Sequence, residues 1–319
     1  MRDRPFLIGS LAAVAAASGF GMLGPIARLA YETGFEPMAF VAWRAAFGWL
    51  AIVAIIAIGT RRGTAVVNPF RLPRPDAVGL VVVAVAGLGL NIATFVAFDL
   101  TTVALVLLAF YTYPALVAAV AVVLGHERLD GTRLIALGLA LGGMVLVVAG
   151  GLDPAAGGPS FNPIGVLLGL LAAIFQTVFV TISRGRFATM PSDQAMSWIL
   201  LLISAACVPL AVALGSRLDV PLHEGRALGL ALLAGILGAG VPSVLFLIAI
   251  RAIGGTRAGI LMLIEPLVGV TLAAILLHEA LLPIQILGGA AILGAALLLQ
   301  RSVTTDRRDA GLVPVAERT

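Results

Sequence analysis

The chain has 319 residues, of which 61% are hydrophobic and only 11% are charged, and its mean hydropathy is +1.11. Soluble proteins average about 25% charged residues, so a water-soluble fold of this length could not bury so much apolar surface, and the composition excludes that class. The net charge of +4 comes from arginines in short loops between apolar segments, which excludes a nucleic-acid-binding surface as its origin. We therefore predict an all-α integral membrane protein in contact with the lipid bilayer.

Ten apolar stretches are long enough to cross a bilayer as helices, since a membrane helix needs about 20 apolar residues. The first follows Arg2 and Arg4 as in a signal peptide, but similar stretches recur along the chain, so we interpret it as a retained helix. A Gly- and Pro-rich segment, 150–162, separates the first five stretches from the last five, and a polar tail, 301–319, is predicted to be cytoplasmic and disordered. The ten stretches are 6–30, 37–58, 77–98, 102–124, 132–149, 163–182, 194–214, 227–250, 256–277 and 282–299.

Arginine placement predicts the orientation of these helices, because basic residues concentrate in the cytoplasmic loops of membrane proteins. With the N-terminus in the cytoplasm, sixteen of the twenty basic residues fall in inner segments. Only Arg217 and Arg226 fall in outer loops, and Arg28 and Arg44 lie within helices. The asymmetry predicts a multi-pass protein of the cytoplasmic membrane with both termini in the cytoplasm.

The sequence also contains an internal duplication. Residues 101–146 align with residues 253–298 without a gap, so that Pro114 falls on Pro266. A duplicated unit of five helices must enter the membrane in the opposite orientation in its second copy, because five is an odd number. Inverted repeats are typical of secondary transporters, which bind substrate between the halves near the middle of the membrane. The predicted five-helix repeats are residues 1–150 and 151–300.

Pairs of small residues four positions apart recur in these stretches, as they do where membrane helices approach closely. Gly138 with Gly142 and Gly165 with Gly169 are two such pairs. We assign both pairs to helix packing and not to ligand binding.

Motifs in the two repeats resemble a known family. In the first repeat Pro114 is followed by Leu-Gly-His-Glu-Arg-Leu at 124–129, and in the second Glu265-Pro266 is followed by Leu-His-Glu-Ala-Leu at 277–281. Together with ten helices in duplicated units, these motifs resemble the EamA type of the drug/metabolite transporter superfamily. Arg44 is similar to a basic residue common in that family's first repeat, although the seventh stretch has no matching residue. The resemblance implies a central cavity and export of amino acids, related metabolites or toxic compounds, in some members by proton exchange.

Glu265 is the first candidate for a substrate- or proton-binding residue. It lies between apolar runs in the ninth stretch, where an ionisable group is costly and indicates a functional site. An ionised carboxylate there requires a cation or water, and otherwise it is protonated. Glu265 could therefore bind a cationic group of the substrate or carry a proton. The structural alternative is a neutral Glu265 that is hydrogen-bonded to a neighbouring helix beside Pro266.

Arg44 is the second candidate, since a guanidinium inside a membrane helix must find water, an anion, an aromatic ring or an acid. It follows Trp43 in the second stretch and could bind a carboxylate of the substrate. Alternatively, its side chain extends to the nearer membrane surface. An ion pair between Arg44 and Glu265 is a further hypothesis that sequence spacing cannot test.

Pro114 and Pro266 remove helical hydrogen bonds and are candidate hinges beside a cavity, with static kinks as the alternative. Other candidates combine a polar or aromatic side chain with a position deep in a stretch, and interhelical hydrogen bonding or packing would account for each of them equally well. They are Asn91, Phe95 on the same helix face as Asn91, Tyr111, Tyr113, Gln176, Trp43 and Trp198.

Motifs of other functional classes are incomplete. His126-Glu127 and His278-Glu279 begin like a zinc-protease motif, but the second His is missing both times. The single Cys207 excludes a multi-cysteine metal site, and no phosphate-binding loop indicates ATP-driven pumping.

We therefore expect no metal or cofactor and predict a secondary transporter that exports a small metabolite or drug-like compound by alternating access. An intramembrane enzyme or a membrane scaffold is the alternative. The sequence indicates nothing about the oligomeric state.

Overall fold

The computed structural model describes residues 4–101, 103–125, 130–150, 162–276 and 282–311. Within these ranges the secondary structure is helical, without a strand. The helices are α1 (Arg4–Gly21), α2 (Leu23–Tyr31), α3 (Pro37–Arg61), α4 (Arg74–Leu100), α5 (Val103–Phe110), α6 (Tyr113–Val123), α7 (Gly131–Gly150), α8 (Pro163–Gly185), α9 (Ser192–Ala213), α10 (Val220–His223), α11 (Gly225–Gly235), α12 (Val241–Ile253), α13 (Gly255–Met262), α14 (Glu265–Leu276) and α15 (Pro283–Gly311), with a short 3-10 helix at Pro69–Arg71 and a π-helical turn at Ile236–Gly240.

These helices form the predicted series of apolar spans. Among the described residues, nine helical segments have the length and composition needed to cross a bilayer, and the tenth, Pro283–Leu298, is a shorter apolar helix. Large apolar side chains remain exposed along the spans, such as Ile135 at 64% and Leu167 at 63%. Such extensive apolar exposure is typical of a surface that faces lipid. The prediction of an all-α membrane protein is therefore confirmed.

Helix α15 extends beyond its apolar part and ends at Gly311. Helix α15 therefore continues through residues 301–311 of the predicted tail, since an existing helix can be extended without the cost of a new nucleus. The rest of the tail, 312–319, lies outside the described residues.

Equivalent helices of the two repeats pack against each other in antiparallel directions. On the fifth helices, α7 and α15, a Cβ on Gly294 would lie 3.6 Å from Leu139. Closer to the other end of this contact, Gln285 Nε2 donates a hydrogen bond to the carbonyl oxygen of Val147 at 3.5 Å. Rising residue numbers on one helix thus meet falling numbers on the other, as an inverted duplication requires. The third helix of each repeat packs in the same way on the first helix of the other repeat, α4 on α8 and α12 on α1.

Glycine allows close contact at some of these interfaces, but not at all the positions that the sequence indicates. Gly165 and Gly169 do face the backbone of the neighbouring helices. A Cβ on Gly165 would lie 3.4 Å from a carbonyl oxygen of α4, and a Cβ on Gly169 would lie 2.9 Å from a carbonyl oxygen of α5. The assignment of Gly138 and Gly142 to packing is wrong, because a Cβ on either would meet nothing within 4 Å. The glycine of α7 that packs is Gly143, which faces α15. The motif identifies small residues, whereas the rotation of the helix decides which of them face a neighbour.

Candidate substrate site between the repeats

The fourth and ninth spans are both interrupted, and the interruptions lie at equivalent positions of the duplication. One break separates α5 from α6 at residues 111–112, and the other separates α13 from α14 at residues 263–264. Pro114 and Pro266 each occupy the second position of the helix that follows the break. Proline is tolerated in a first helical turn because no intrahelical N–H bond is required there. The chain is therefore broken just before each proline, and backbone groups in the middle of the membrane are left outside regular helix.

The two breaks meet through Glu265, the first residue of α14. The hydroxyl of Tyr111, in the other break, donates a hydrogen bond to the Glu265 carboxyl group. Tyr111 is buried, and Tyr113 beside it is buried with its ring 5.3 Å from that of Phe110. Glu265 is only partly buried. The break of the first repeat thus supplies the donor that orients the carboxyl group of the second.

Arg44 reaches the same region from α3. Its Nη2 donates a hydrogen bond to Asn91 Oδ1 on α4 at 3.0 Å. The Nδ2 of Asn91 in turn donates to the carbonyl oxygen of Gly87 at 2.7 Å. This second hydrogen bond uses the side-chain nitrogen of Asn91, so the side-chain oxygen of Asn91 faces the guanidinium of Arg44. Arg44 is thus held by a neutral partner and keeps further N–H groups for another ligand.

Arg44 and Glu265 attract each other electrostatically. No ion pair within 4.0 Å joins these two described residues. The two groups therefore do not form the direct ion pair of the hypothesis, although each lies within electrostatic range of the other. Each group is instead bonded to a neutral side chain, Asn91 or Tyr111. A guanidinium and a carboxyl group that lie in the same region without direct contact can bind a ligand that carries both signs of charge.

The position of Arg44 depends on Gly48, one turn further along α3. A Cβ on Gly48 would lie 3.0 Å from the carbonyl oxygen of Gly235. A Cβ on Gly240 would lie 2.6 Å from the carbonyl oxygen of Gly48. These glycines flank and end the π-helical turn Ile236–Gly240. Backbone therefore contacts backbone here, and this contact sets how closely α3 and Arg44 approach the second repeat.

We expect Gly240→Ala to separate α3 from the π-helical turn, because the clash is with backbone that cannot rotate away. The expected cost in the free energy of unfolding is about 1–3 kcal/mol, measured as a lower melting temperature in detergent and accompanied by slower transport. Gly229→Ala is the matched control on the same span, since its Cβ would meet nothing within 4 Å. Equal stability of the two variants would contradict this account of the contact.

Another predicted site residue, Gln176, lies on a neighbouring helix and has no hydrogen bond to Arg44 or Glu265 among the described contacts. Gln176 is half-buried on α8, and its neighbour Phe175 covers Gly89 of α4, two residues before Asn91. The side chain of Phe95 lies outside the described part of the structure. The structure therefore places Gln176 on α8, the helix that packs against α4 and Asn91.

The two candidate tryptophans, Trp43 and Trp198, lie at opposite ends of the antiparallel pair α3 and α9. Trp43 Nε1 donates to the carbonyl oxygen of Leu218, in the loop after α9, at 2.9 Å. Trp198 packs edge-on against Phe70, in the loop after α3, with ring centroids 6.1 Å apart. An inverted duplication places equivalent residues at opposite membrane surfaces, so these side chains do not face one common site.

Gln194 was not among the predicted site residues. It holds a loop at one end of the α3–α9 pair by hydrogen bonds, as Trp43 does at the other end. Gln194 is buried at the start of α9, where its Oε1 accepts from Val67 N at 2.8 Å and its Nε2 donates to Ala65 O at 2.9 Å. Each repeat thus holds the loop that follows the second helix of the other repeat. The signal available was an amide side chain in the first turn of α9.

Comparison with known proteins assigns the chain to a family. The model of the EamA-like transporter family matches it twice, over residues 7–149 and 163–301. The chain belongs to the EamA-like transporter family. As a member of this family the protein is a membrane transporter, in agreement with the resemblance of its proline and His-Glu motifs. The His-Glu pairs themselves lie outside the described residues.

Individual relatives extend over nearly the whole chain. It is 30% identical over 284 residues to an uncharacterized transporter of Archaeoglobus fulgidus, covering 88% of this chain and 93% of that one. It is 28% identical over 304 residues to an uncharacterized protein of Pseudomonas aeruginosa, covering 93% and 97%. A solved crystal structure superposes with a TM-score of 0.76 at 23% identity, over 94% of this chain and 97% of that one, and this likeness shows the shared fold.

Proposed function

We propose that this EamA-family protein is a secondary transporter that exports a small metabolite such as an amino acid, or a drug-like compound of similar charge, from the cytoplasm. The observation that carries the proposal is the placement of Arg44 and Glu265, close together but each bonded to a neutral partner. A zwitterion would bind with its carboxylate on Arg44, whose fork of N–H groups suits a carboxylate, and with its ammonium group on Glu265.

Proton exchange follows if the carboxyl group of Glu265 binds two cations in turn, the ammonium group of the substrate and a proton. When the ammonium group leaves Glu265 on one side, a carboxylate inside the membrane is costly unless a cation replaces it. A proton from the solution into which the substrate was released is the smallest replacement, and the next substrate from the cytoplasm must displace it. Competition at Glu265 would thus couple export of substrate to entry of a proton.

Alternating access would use the paired breaks. The helices that carry Tyr111 and Glu265 can tilt at the non-helical residues 111–112 and 263–264, so that the site opens to each side in turn. The hydrogen bond between Tyr111 and Glu265 crosses between the repeats, which makes it a contact that such movement would change.

The orientation in the membrane is also part of the proposal. Arginine-rich loops favour a cytoplasmic membrane with both termini in the cytoplasm. The charge pair between Arg226 and Glu32, at 3.4 Å, would then lie on the outer surface. Cysteine accessibility from the two sides, with Cys207 replaced, measures this directly.

Counterflow in proteoliposomes tests the function with paired substrates, each amino acid beside its decarboxylated amine. We expect saturable uptake, and we expect Arg44→Gln to weaken uptake of the amino acid roughly 10- to 100-fold, as for loss of a bond to a charged group. The amine, which lacks the carboxylate, should be affected much less. Arg226→Gln is the control, because Arg226 is exposed and its pair with Glu32 contributes little.

Two results would count against the proposal. Equal losses for the amino acid and the amine would show that Arg44 does not hold the carboxylate. The absence of saturable flux for amino acids, amines and cationic drugs, from protein shown to be folded, would reject this substrate class.

A further inference from the structure

A cavity lies away from the candidate substrate site, between the start of α4 and the end of α8. Its volume is about 320 Å³. Helices α4 and α8 are antiparallel, so their facing ends lie at the same membrane surface, on the side of the arginine-rich loops. The lining residues are Arg74, Pro75, Val78, Gly79, Val82, Ile182 and Arg186.

The lining of the cavity is mainly apolar, with two arginines, Arg74 and Arg186, among its residues. Arg74 and Arg186 are both exposed, and neither forms an ion pair among the described residues. Val78 and Val82, one and two turns further into α4, are 60% and 37% exposed. The acidic residue nearest in sequence, Asp76, is not among the lining residues. The cavity thus combines two arginine side chains near the membrane surface with an apolar wall that continues toward the bilayer interior.

Gly79 shows that the position of Arg186 is built into the α4–α8 contact. A Cβ on Gly79 would lie 2.8 Å from Arg186 Cβ and 3.0 Å from its Cγ. The aliphatic part of Arg186 therefore lies directly on the backbone of α4, which only glycine permits. This contact holds the side chain of Arg186 against the first turns of α4, on the helix that begins with Arg74.

We propose that this cavity binds an anionic phospholipid, with the phosphate on Arg74 and Arg186 and an acyl chain along Val78, Val82 and Ile182. Basic pockets between membrane helices bind anionic headgroups, and the apolar wall distinguishes a lipid from a free anion. The proposal depends on the protein lying in a bilayer and is independent of the transported substrate and of Glu265.

Native mass spectrometry of the full-length protein in detergent tests the proposal with added phosphatidylglycerol and, separately, phosphatidylcholine. We expect phosphatidylglycerol to bind more strongly, and each of Arg74→Gln and Arg186→Gln to weaken its binding roughly fivefold. Arg62→Gln is the matched control, because Arg62 is an exposed arginine of the same loop that does not line the cavity. Binding of phosphatidylcholine should not change in any of these variants.

Two further measurements distinguish a bound phospholipid from a bound inorganic anion. Val78→Trp fills the apolar part without changing charge, so it should reduce phosphatidylglycerol binding while the melting temperature without lipid stays that of wild type. If an arginine variant melts at a lower temperature than wild type, the test of lipid binding rests on Val78→Trp instead. Displacement of the lipid by millimolar inorganic phosphate would overturn the proposal in favour of a simple anion site. Equal binding of both lipids, or equal losses in Arg62→Gln and the cavity variants, would also overturn it.

Discussion

Replacing Glu265 with Gln is expected to reduce proton-coupled exchange at least tenfold without preventing insertion or folding. Gln has nearly the same size and still accepts the hydrogen bond from the Tyr111 hydroxyl. It cannot carry a negative charge, however, so it can neither balance an ammonium group nor accept a proton. Loss of one interaction with a charged group costs about 1.5–3 kcal/mol, which corresponds to roughly tenfold to a hundredfold. Counterflow in proteoliposomes with a pH-sensitive dye inside measures flux and proton movement together.

Glu224→Gln is the matched control for this experiment. Glu224 is an exposed glutamate whose side chain accepts a hydrogen bond from Arg226 N at the start of α11, and Gln preserves that acceptor. A fully active Glu265→Gln variant would remove Glu265 from the mechanism. Wild-type uptake without proton movement would leave a carrier in which Glu265 only binds substrate.

A large effect on stability is expected for Gly143→Ala, at the contact between α7 and α15. A Cβ on Gly143 would lie 2.6 Å from the carbonyl oxygen of Gly288 and 3.0 Å from Ala291 Cβ. Because Gly288 is equally close to the backbone of α7, neither helix can yield without moving as a whole. We expect the free energy of unfolding to fall by about 1–3 kcal/mol, measured by thermal unfolding in detergent.

Gly142→Ala provides a control one residue away on the same helix. Its Cβ would meet nothing within 4 Å, and alanine is favoured over glycine in a helix interior by roughly 0.5–1 kcal/mol. We therefore expect unchanged or slightly higher stability for Gly142→Ala. If the two variants melted alike, the rotation of α7 described above would be wrong.

Local features of this protein could be predicted from its sequence more completely than its long-range contacts. The apolar spans and the duplication were recognised because span length and repeat spacing are properties of continuous sequence. The prolines marked the broken spans, but the breaks themselves lie before Pro114 and Pro266, at residues 111–112 and 263–264. Glu265 stood out because a carboxyl group surrounded by apolar residues is costly in a membrane wherever its helix packs.

The contacts between distant residues required the tertiary structure. The partner of Arg44 is Asn91, whereas sequence reasoning considered Glu265, and the hydrogen-bond partner of Glu265 is Tyr111. Trp43 and Trp198 were both candidates for the substrate site, but inversion of the second repeat places them at opposite ends of α3 and α9.

The sequence by itself determined that this protein spans a membrane with ten apolar segments in two related halves and that Glu265 lies deep among apolar residues. The reason is that hydrocarbon as a solvent imposes length and composition on each helix separately. Only the tertiary structure decided that Gly143, and not Gly142, packs against α15, and that Arg74 and Arg186 share one cavity. Such pairings depend on the rotation and depth of one helix relative to another, which arise from close contacts between residues far apart in the chain.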